Sequence, residues 1–182
     1  FIDKCVILII QWGEPAWRKT ASKSLPKTTK NKADTRLFID DNAGQTVSEI
    51  RSKCRRLKAS PSGLDIVIID YLTLIQSANK GGSTGQNRQQ EVSDISRALK
   101  TMAMELEIPV IALSQLSRGI EQRVDKKPML SDLRESGAIE QDADMVAFLH
   151  CSDEEREKQD SLMEFVIRKH RNGPLKDIPL IF

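Results

Sequence analysis

The sequence predicts an α/β fold, a mostly parallel sheet flanked by helices and finished by a C-terminal β-hairpin. Residues 66–70 read Ile-Val-Ile-Ile-Asp, an apolar run that ends on a carboxylate. Residues 110–115 read Val-Ile-Ala-Leu-Ser-Gln, a second apolar run that ends on a hydroxyl and an amide. A helix-length segment separates them. Apolar strands without polar alternation are those covered on both faces, as in parallel sheets. Strand–helix–strand order implies right-handed crossovers between them. Polar groups at the carboxyl ends of such strands are how an open parallel sheet builds a nucleotide site.

The elements follow in chain order. Residues 5–10 are short, continuous and β-branched, so they read as a buried strand. Residues 11–35 hold Pro15, Pro26 and a Lys/Thr/Ser-rich stretch, and read as an irregular connection. Residues 36–39 read as a short strand stopped by Asp40, Asp41, Asn42 and Gly44. Residues 46–58 form a helix with Val47, Ile50, Cys54 and Leu57 on one face. Residues 64–69 are the first diagnostic strand, expected to be buried on both faces, and residues 76–88 a polar loop. Residues 89–107 are a long helix with Val92, Ile95, Leu99, Met102 and Leu106 as its core stripe, closed by Pro109. Residues 110–113 are the second diagnostic strand and residues 117–129 a charged loop. Residues 145–149 are another strand. Residues 162–167 and 178–182 flank Asn172-Gly173, a hairpin signal. No internal repeat occurs.

The chain has 182 residues, 39% apolar and 30% charged, with a net charge of +2. That suits one domain with a sizeable core, and bulk charge announces no nucleic-acid partner. Cys5, Cys54 and Cys151 are far apart and odd in number, which argues against zinc and a disulfide framework and fits a reducing cytoplasm. The run at 6–10 is too short for a bilayer and lacks the flanks of a signal peptide. The chain opens on Phe1 and ends inside an apolar run, and reads as a partial domain.

Four places could carry chemistry. Asp70 can hold Mg²⁺ through water beside nucleotide phosphates, or it simply ends a strand. Gln115 can hydrogen-bond a γ-phosphate or an attacking water, or it is a polar strand end facing solvent. Lys169 and Arg171, one residue apart near the hairpin, point to one side of a strand. A guanidinium there can reach a phosphate on a neighbouring subunit, although a solvated basic turn is the commoner meaning. Arg134, Glu135 and Gly137 suit a phosphodiester, through one Arg and exposed backbone N–H groups beside a glycine. Read from composition, they suit a capped helix start better. The basic residues Arg51, Lys53, Arg55, Arg56 and Lys58 read as a solvated helix face, and His150 and His170 as non-ligands.

Together these segments resemble the C-terminal RecA-like domain of the bacterial replicative DNA helicase, the DnaB family. The match runs from about Arg36 to Phe182. It rests on residues 37–41, 47–57, 68–72, 87–93, 112–118, 134–144 and 169–174 in that order. The resemblance implies a RecA-like P-loop NTPase core over residues 36–182, preceded by a divergent or incomplete part over residues 1–35. It implies ATP and Mg²⁺, single-stranded DNA, a ring hexamer of the chain itself, and primase and helicase-loader partners. Asp70 is similar to the Walker B carboxylate and Gln115 to the γ-phosphate-sensing Gln. Lys169 and Arg171 resemble the paired cations that reach the ATP of the adjacent subunit. Arg134, Glu135 and Gly137 resemble the loop that tracks a DNA backbone.

The departures sit near the start. A phosphate loop needs G-x-x-x-x-G-K-[ST], so that backbone N–H groups can wrap the phosphates. The nearest run is residues 13–20, where Lys19 and Thr20 would be the phosphate and Mg²⁺ contacts, but Arg18 stands where the second glycine is required. A rival alignment makes Trp17, Arg18 and Lys19 part of a helix upstream of the 37–41 strand. Glu14 is the only Glu before Glu49, so no candidate appears for the base that activates water. The family's N-terminal primase-interacting domain is not in the sequence. The expected function is ATP-driven translocation on single-stranded DNA and duplex unwinding at the replication fork. This chain would be a partial ATPase domain, not competent alone. The alternative is an inactive DNA-binding or regulatory module on the same core. A recombinase-like ATPase is disfavoured by the 134–144 and 169–174 blocks.

Overall fold

A computed structural model describes residues 4–9, 36–76, 85–123, 125–133, 137–151 and 162–181. The elements are β1 (Lys4–Ile9), α1 (Val47–Ala59), β2 (Val67–Ile69), α2 (Gly85–Leu106), β3 (Val110–Gln115), α3 (Gly137–Asp142), β4 (Met145–His150), β5 (Leu162–His170) and β6 (Asp177–Ile181). They build a six-stranded sheet in the order β2-β3-β1-β4-β5-β6.

The β2–β3 pair is parallel, with Val67 opposite Val110 and Ile69 opposite Ala112. α2 is the crossover between them. Its stripe is buried as its spacing predicts: Val92, Ile95, Leu99, Met102 and Leu106 all lie in the core, joined by Ala103. α1 and α3 pack against α2. Thr46 caps α1 with a reciprocal box. Its hydroxyl accepts from the Glu49 N–H at 3.3 Å, and its own N–H donates to the Glu49 carboxylate at 2.8 Å. Such a cap is worth about 1 kcal/mol.

Four findings differ from the expectations. First, β1 runs antiparallel to both of its neighbours, β3 and β4. β2, β3, β4 and β6 share one direction, yet only the β2–β3 contact joins parallel strands.

Second, residues 36–39 are not a strand. Leu37, Phe38 and Ile39 are exposed, and Phe38 and Ile39 line a cavity of about 830 Å³ whose other walls include β2 and α1. β2 is therefore the sheet edge among the described residues. A ladder needs a partner within about 5 Å, and the cavity holds this segment away.

Third, β2 covers three residues rather than six, and Ile66 and Ile68 are exposed instead of buried. Ile66 and Ile68 share one face of the strand, and both line that cavity. Fourth, six residues connect β5 to β6, so Asn172-Gly173 sits in a wider turn than a two-residue hairpin.

The basic face of α1 is paired rather than merely solvated. Arg51 and Arg55 both meet Glu105 of α2, and Lys53 meets Asp40 at 2.5 Å. The Lys53 ammonium, helped by the Gln45 amide, holds the Asp40 carboxyl down at about 2. On the hairpin, Arg168 and Lys127 hold Asp177 at about 2 as well. Both carboxyls are depressed on folding, so their contribution is complete above their ordinary value of 3.8 and is lost as pH falls through about 2. Carboxyl-carbon NMR should give both a midpoint near 2. A midpoint at the ordinary value would show that these pairs do not persist in solution.

Candidate functional site

The parallel β2–β3 pair delivers Asp70 and Gln115 to one edge of the sheet. Asp70 follows the last residue of β2, and Gln115 is the last residue of β3. Both side chains are exposed. Ser114, just before Gln115, is buried. Asp70 also lines the 830 Å³ cavity, together with Asp41, Gln45 and Tyr71. One exposed carboxylate at a strand end suits Mg²⁺, which keeps several waters and takes one or two carboxylates plus phosphate oxygens. Among the described residues no group of three His, Cys, Asp or Glu side chains forms a protein cage for a metal.

Lys169 and Arg171 stand at the other edge. β5 pairs with β4 so that His170 lies opposite Met145, the first residue of β4. Met145 lies opposite Leu8 of β1, and Leu8 opposite Ile111 near the start of β3. The turn with Arg171 is therefore level with the amino end of β3, whereas Gln115 marks its carboxyl end. Five to six residues along the strands and three strand spacings across place them on the order of 20 Å apart.

A register shift between Val146 and Ala147 leaves Arg168 as the extra residue of β5. Such bulges re-aim neighbouring side chains. Lys169 donates to the Glu140 carbonyl and, at 3.3 Å, to the Gln141 carbonyl, the last turn of α3. Arg171 donates to the same Gln141 carbonyl at 3.2 Å and pairs with Asp144 at 2.8 Å. Cations on the last carbonyls of a helix complement both its orphan acceptors and its dipole. Burial, then the neighbouring Arg171, pushes the Lys169 ammonium pKa down. Both side chains thus fold back on α3 instead of projecting free beyond the sheet.

Gly137 opens α3, with open space where a Cβ would sit. Arg134 and Glu135 lie outside the described residues, as do Lys19 and Thr20. The direction of β1 bears on residues 13–20. Its carboxyl end, Ile9, lies opposite Val110, while its first residue, Lys4, lies opposite Gln115. A phosphate loop serving Asp70 must leave its strand at the Gln115 edge. The apolar run before this segment is a strand, as its composition predicts, and residues 13–20 lie outside the described residues.

Sequence reasoning missed Asp144 and Lys100. Asp144 is buried before β4, and its two oxygens meet Arg171 and Lys100 of α2. Lys100 is 44 residues away in sequence, so no spacing announces the pair.

The crossover and the shared edge of Asp70 and Gln115 define an α/β core with polar groups at the carboxyl ends of its parallel strand pair. The chain belongs to the DnaB-like helicase C terminal domain family, whose model matches residues 11–182. It is 57% identical over 148 residues to the replicative DNA helicase DnaC of Bacillus subtilis, and 56% identical over 148 residues to the replicative DNA helicase DnaB of Geobacillus stearothermophilus. In each case the alignment covers 80% of this chain and 32% of the relative. The chain thus spans about a third of the length of these relatives.

Among solved structures it matches a DnaB-like replicative helicase studied for its interactions with primase. The TM-score is 0.71 and the identity 51%, over 79% of this chain and 34% of that one. It also matches a separately solved ATPase domain, with a TM-score of 0.73 and 49% identity, over 82% of this chain and 52% of that one. The family resemblance read from the sequence and the RecA-like fold are both borne out. Among the described residues no helix is long and apolar enough to cross a membrane.

Proposed function

We propose that this chain acts as ATPase-domain material of a cytoplasmic replicative DNA helicase, within a head-to-tail ring that moves on single-stranded DNA and unwinds duplex at the fork. The observation that carries this reading is the separation of its polar sets: Asp70 and Gln115 at one sheet edge, Lys169 and Arg171 at the other. A nucleotide beside Asp70 cannot receive Arg171 of the same chain across about 20 Å. It can receive the corresponding arginine of a second copy. An interface that joins one edge to the opposite edge of the next copy is heterologous, and such interfaces close into a ring when the rotation between copies closes.

In that arrangement Asp70 would hold Mg²⁺, which when bound would neutralise charge on the phosphates. The Gln115 carboxamide orients the attacking water or contacts the γ-phosphate. Lys169 and Arg171 reach the neighbour's ATP, where a guanidinium stabilises charge that grows in the transition state. Arg134, Glu135 and Gly137 contact the DNA backbone from the segment that opens α3. Primase and a helicase loader complete the partners by family membership.

Arg18, standing where a phosphate loop needs its second glycine, favours a second reading. Without a working phosphate loop, the chain by itself would be a DNA-binding or regulatory module. One experiment separates the two. A relative with its own finger arginine replaced by alanine is mixed with this chain, and DNA-stimulated ATP hydrolysis is measured. Restored hydrolysis is the expected result. DNA binding that weakens with salt, with no restored hydrolysis, would leave the module.

A further inference from the structure

Asp144 is 2% exposed and precedes β4. Its Oδ1 lies 2.8 Å from Nη1 of Arg171. Its Oδ2 pairs with Nζ of Lys100, on the body of α2. Nη2 of Arg171 donates to the Gln141 carbonyl at 3.2 Å, and the Arg171 backbone N–H donates to the Asp144 carbonyl at 2.8 Å. The arginine is thus tied to Asp144 through both its backbone and its side chain. Its side chain nevertheless stays 48% exposed.

We infer that Asp144 is a positioning residue for Arg171, holding the guanidinium from behind so that its outer face is presented in one orientation. The inference rests on the trans role proposed above. A guanidinium has five N–H donors in a rigid fork. These contacts use one on each terminal nitrogen, so three remain for a phosphate. Release from Asp144 is therefore not needed for Arg171 to act.

Lys100 completes the device. A lone buried carboxylate would offset the charge of the finger it holds. With Lys100 on the second oxygen, one carboxylate and two cations leave a net positive charge. A buried carboxylate is costly unless paired, and here its pairing fixes the position of a functional group. Lys169, on the carbonyls of α3, adds a second cation beside Arg171.

The test uses the mixed rings, with rescue of the finger-deficient relative by the wild-type chain, Asp144→Asn and Arg171→Ala. Asp144→Asn keeps the shape and one acceptor but removes the charge that fixes the fork. It should lower the rescued kcat by roughly ten- to a hundredfold, the scale of a misplaced catalytic group, with KM for ATP unchanged. Equal kcat for Asp144→Asn and wild type, or a change in KM alone, would overturn the inference.

A second measurement needs neither a ring nor a variant that folds. Nitrogen-15 signals of the Arg171 guanidinium in the wild-type chain should show hindered rotation and slow exchange with water. Free rotation there would also overturn the inference. If the wild-type chain rescues nothing while these signals are hindered, the trans reading fails and the positioning contact stands.

Discussion

Arg171→Ala in this chain is expected to abolish the hydrolysis that the wild-type chain restores to finger-deficient rings. A finger contributes a factor of about 10³ or more to turnover, so the loss should be plain even when few mixed rings form. The basis is geometric. Arg171 stands at the sheet edge opposite Asp70 and Gln115, out of reach of its own site, with its side chain half exposed. Arg171→Lys should rescue poorly. Lysine lacks the planar fork that bridges Asp144 and Gln141 on one side and a phosphate on the other. The measurement is steady-state ATP turnover at fixed subunit ratio. Equal rescue by the wild-type and Arg171→Ala chains would leave Lys169 and Arg171 as a cap on α3 and nothing more.

Phe148→Ala is expected to destabilise the chain by about 3–5 kcal/mol. Phe148 is fully buried at the middle of β4, opposite Cys5 of β1 and Val166 of β5. It packs in one cluster with Leu99 and Met102 of α2 and Val110 of β3. Removing the ring opens a cavity that neighbours on two strands and a helix cannot all collapse to fill. Small domains are stable by about 5–15 kcal/mol, so a domain at the low end of that range would lose half or more of its stability. Urea unfolding followed by circular dichroism measures it. A loss below about 1 kcal/mol, the ordinary scale of a point mutation, would mean that β4 is not the centre of the core.

Much of the fold was legible because it depends on periodicity. The α2 stripe, the β3 run and the β4 run each carry their burial pattern in their own residues, and the structure buries them accordingly. The Asp70–Gln115 edge was legible for the same reason, since a strand–helix–strand order leaves few other arrangements. Strand direction was not. The apolar run that becomes β1 reads the same whether it pairs parallel or antiparallel, and only its partners decide. Residues 36–39 show the complementary failure. Leu37, Phe38 and Ile39 have strand composition but no ladder partner, and composition supplies no hydrogen bonds.

The site was legible where its residues sit at the ends of elements and opaque where they meet from distant elements. Lys169 and Arg171 were candidates because a basic pair beside Asn-Gly stands out. Their contact with the end of α3 was not legible, because residues 140–144 carry no mark of what they cap. Asp144 and Lys100 meet only through the packing of α2 on α3 and β4. A buried carboxylate looks like any other Asp in a sequence.

The candidate sensing and finger residues stand at opposite edges, and the nearest phosphate-loop run carries Arg18 in place of its second glycine. Titration of the chain alone with a fluorescent ATP analogue and Mg²⁺, for wild type and Arg18→Gly, tests this reading most directly. Arg18→Gly restores the missing glycine of residues 13–20. It should gain nothing, because β1 leaves the sheet opposite Val110, away from Asp70. The account predicts no specific binding by either chain and no hydrolysis near an ordinary enzyme rate, on the order of 1 s⁻¹. Binding gained on Arg18→Gly and lost again on Asp70→Ala would contradict it.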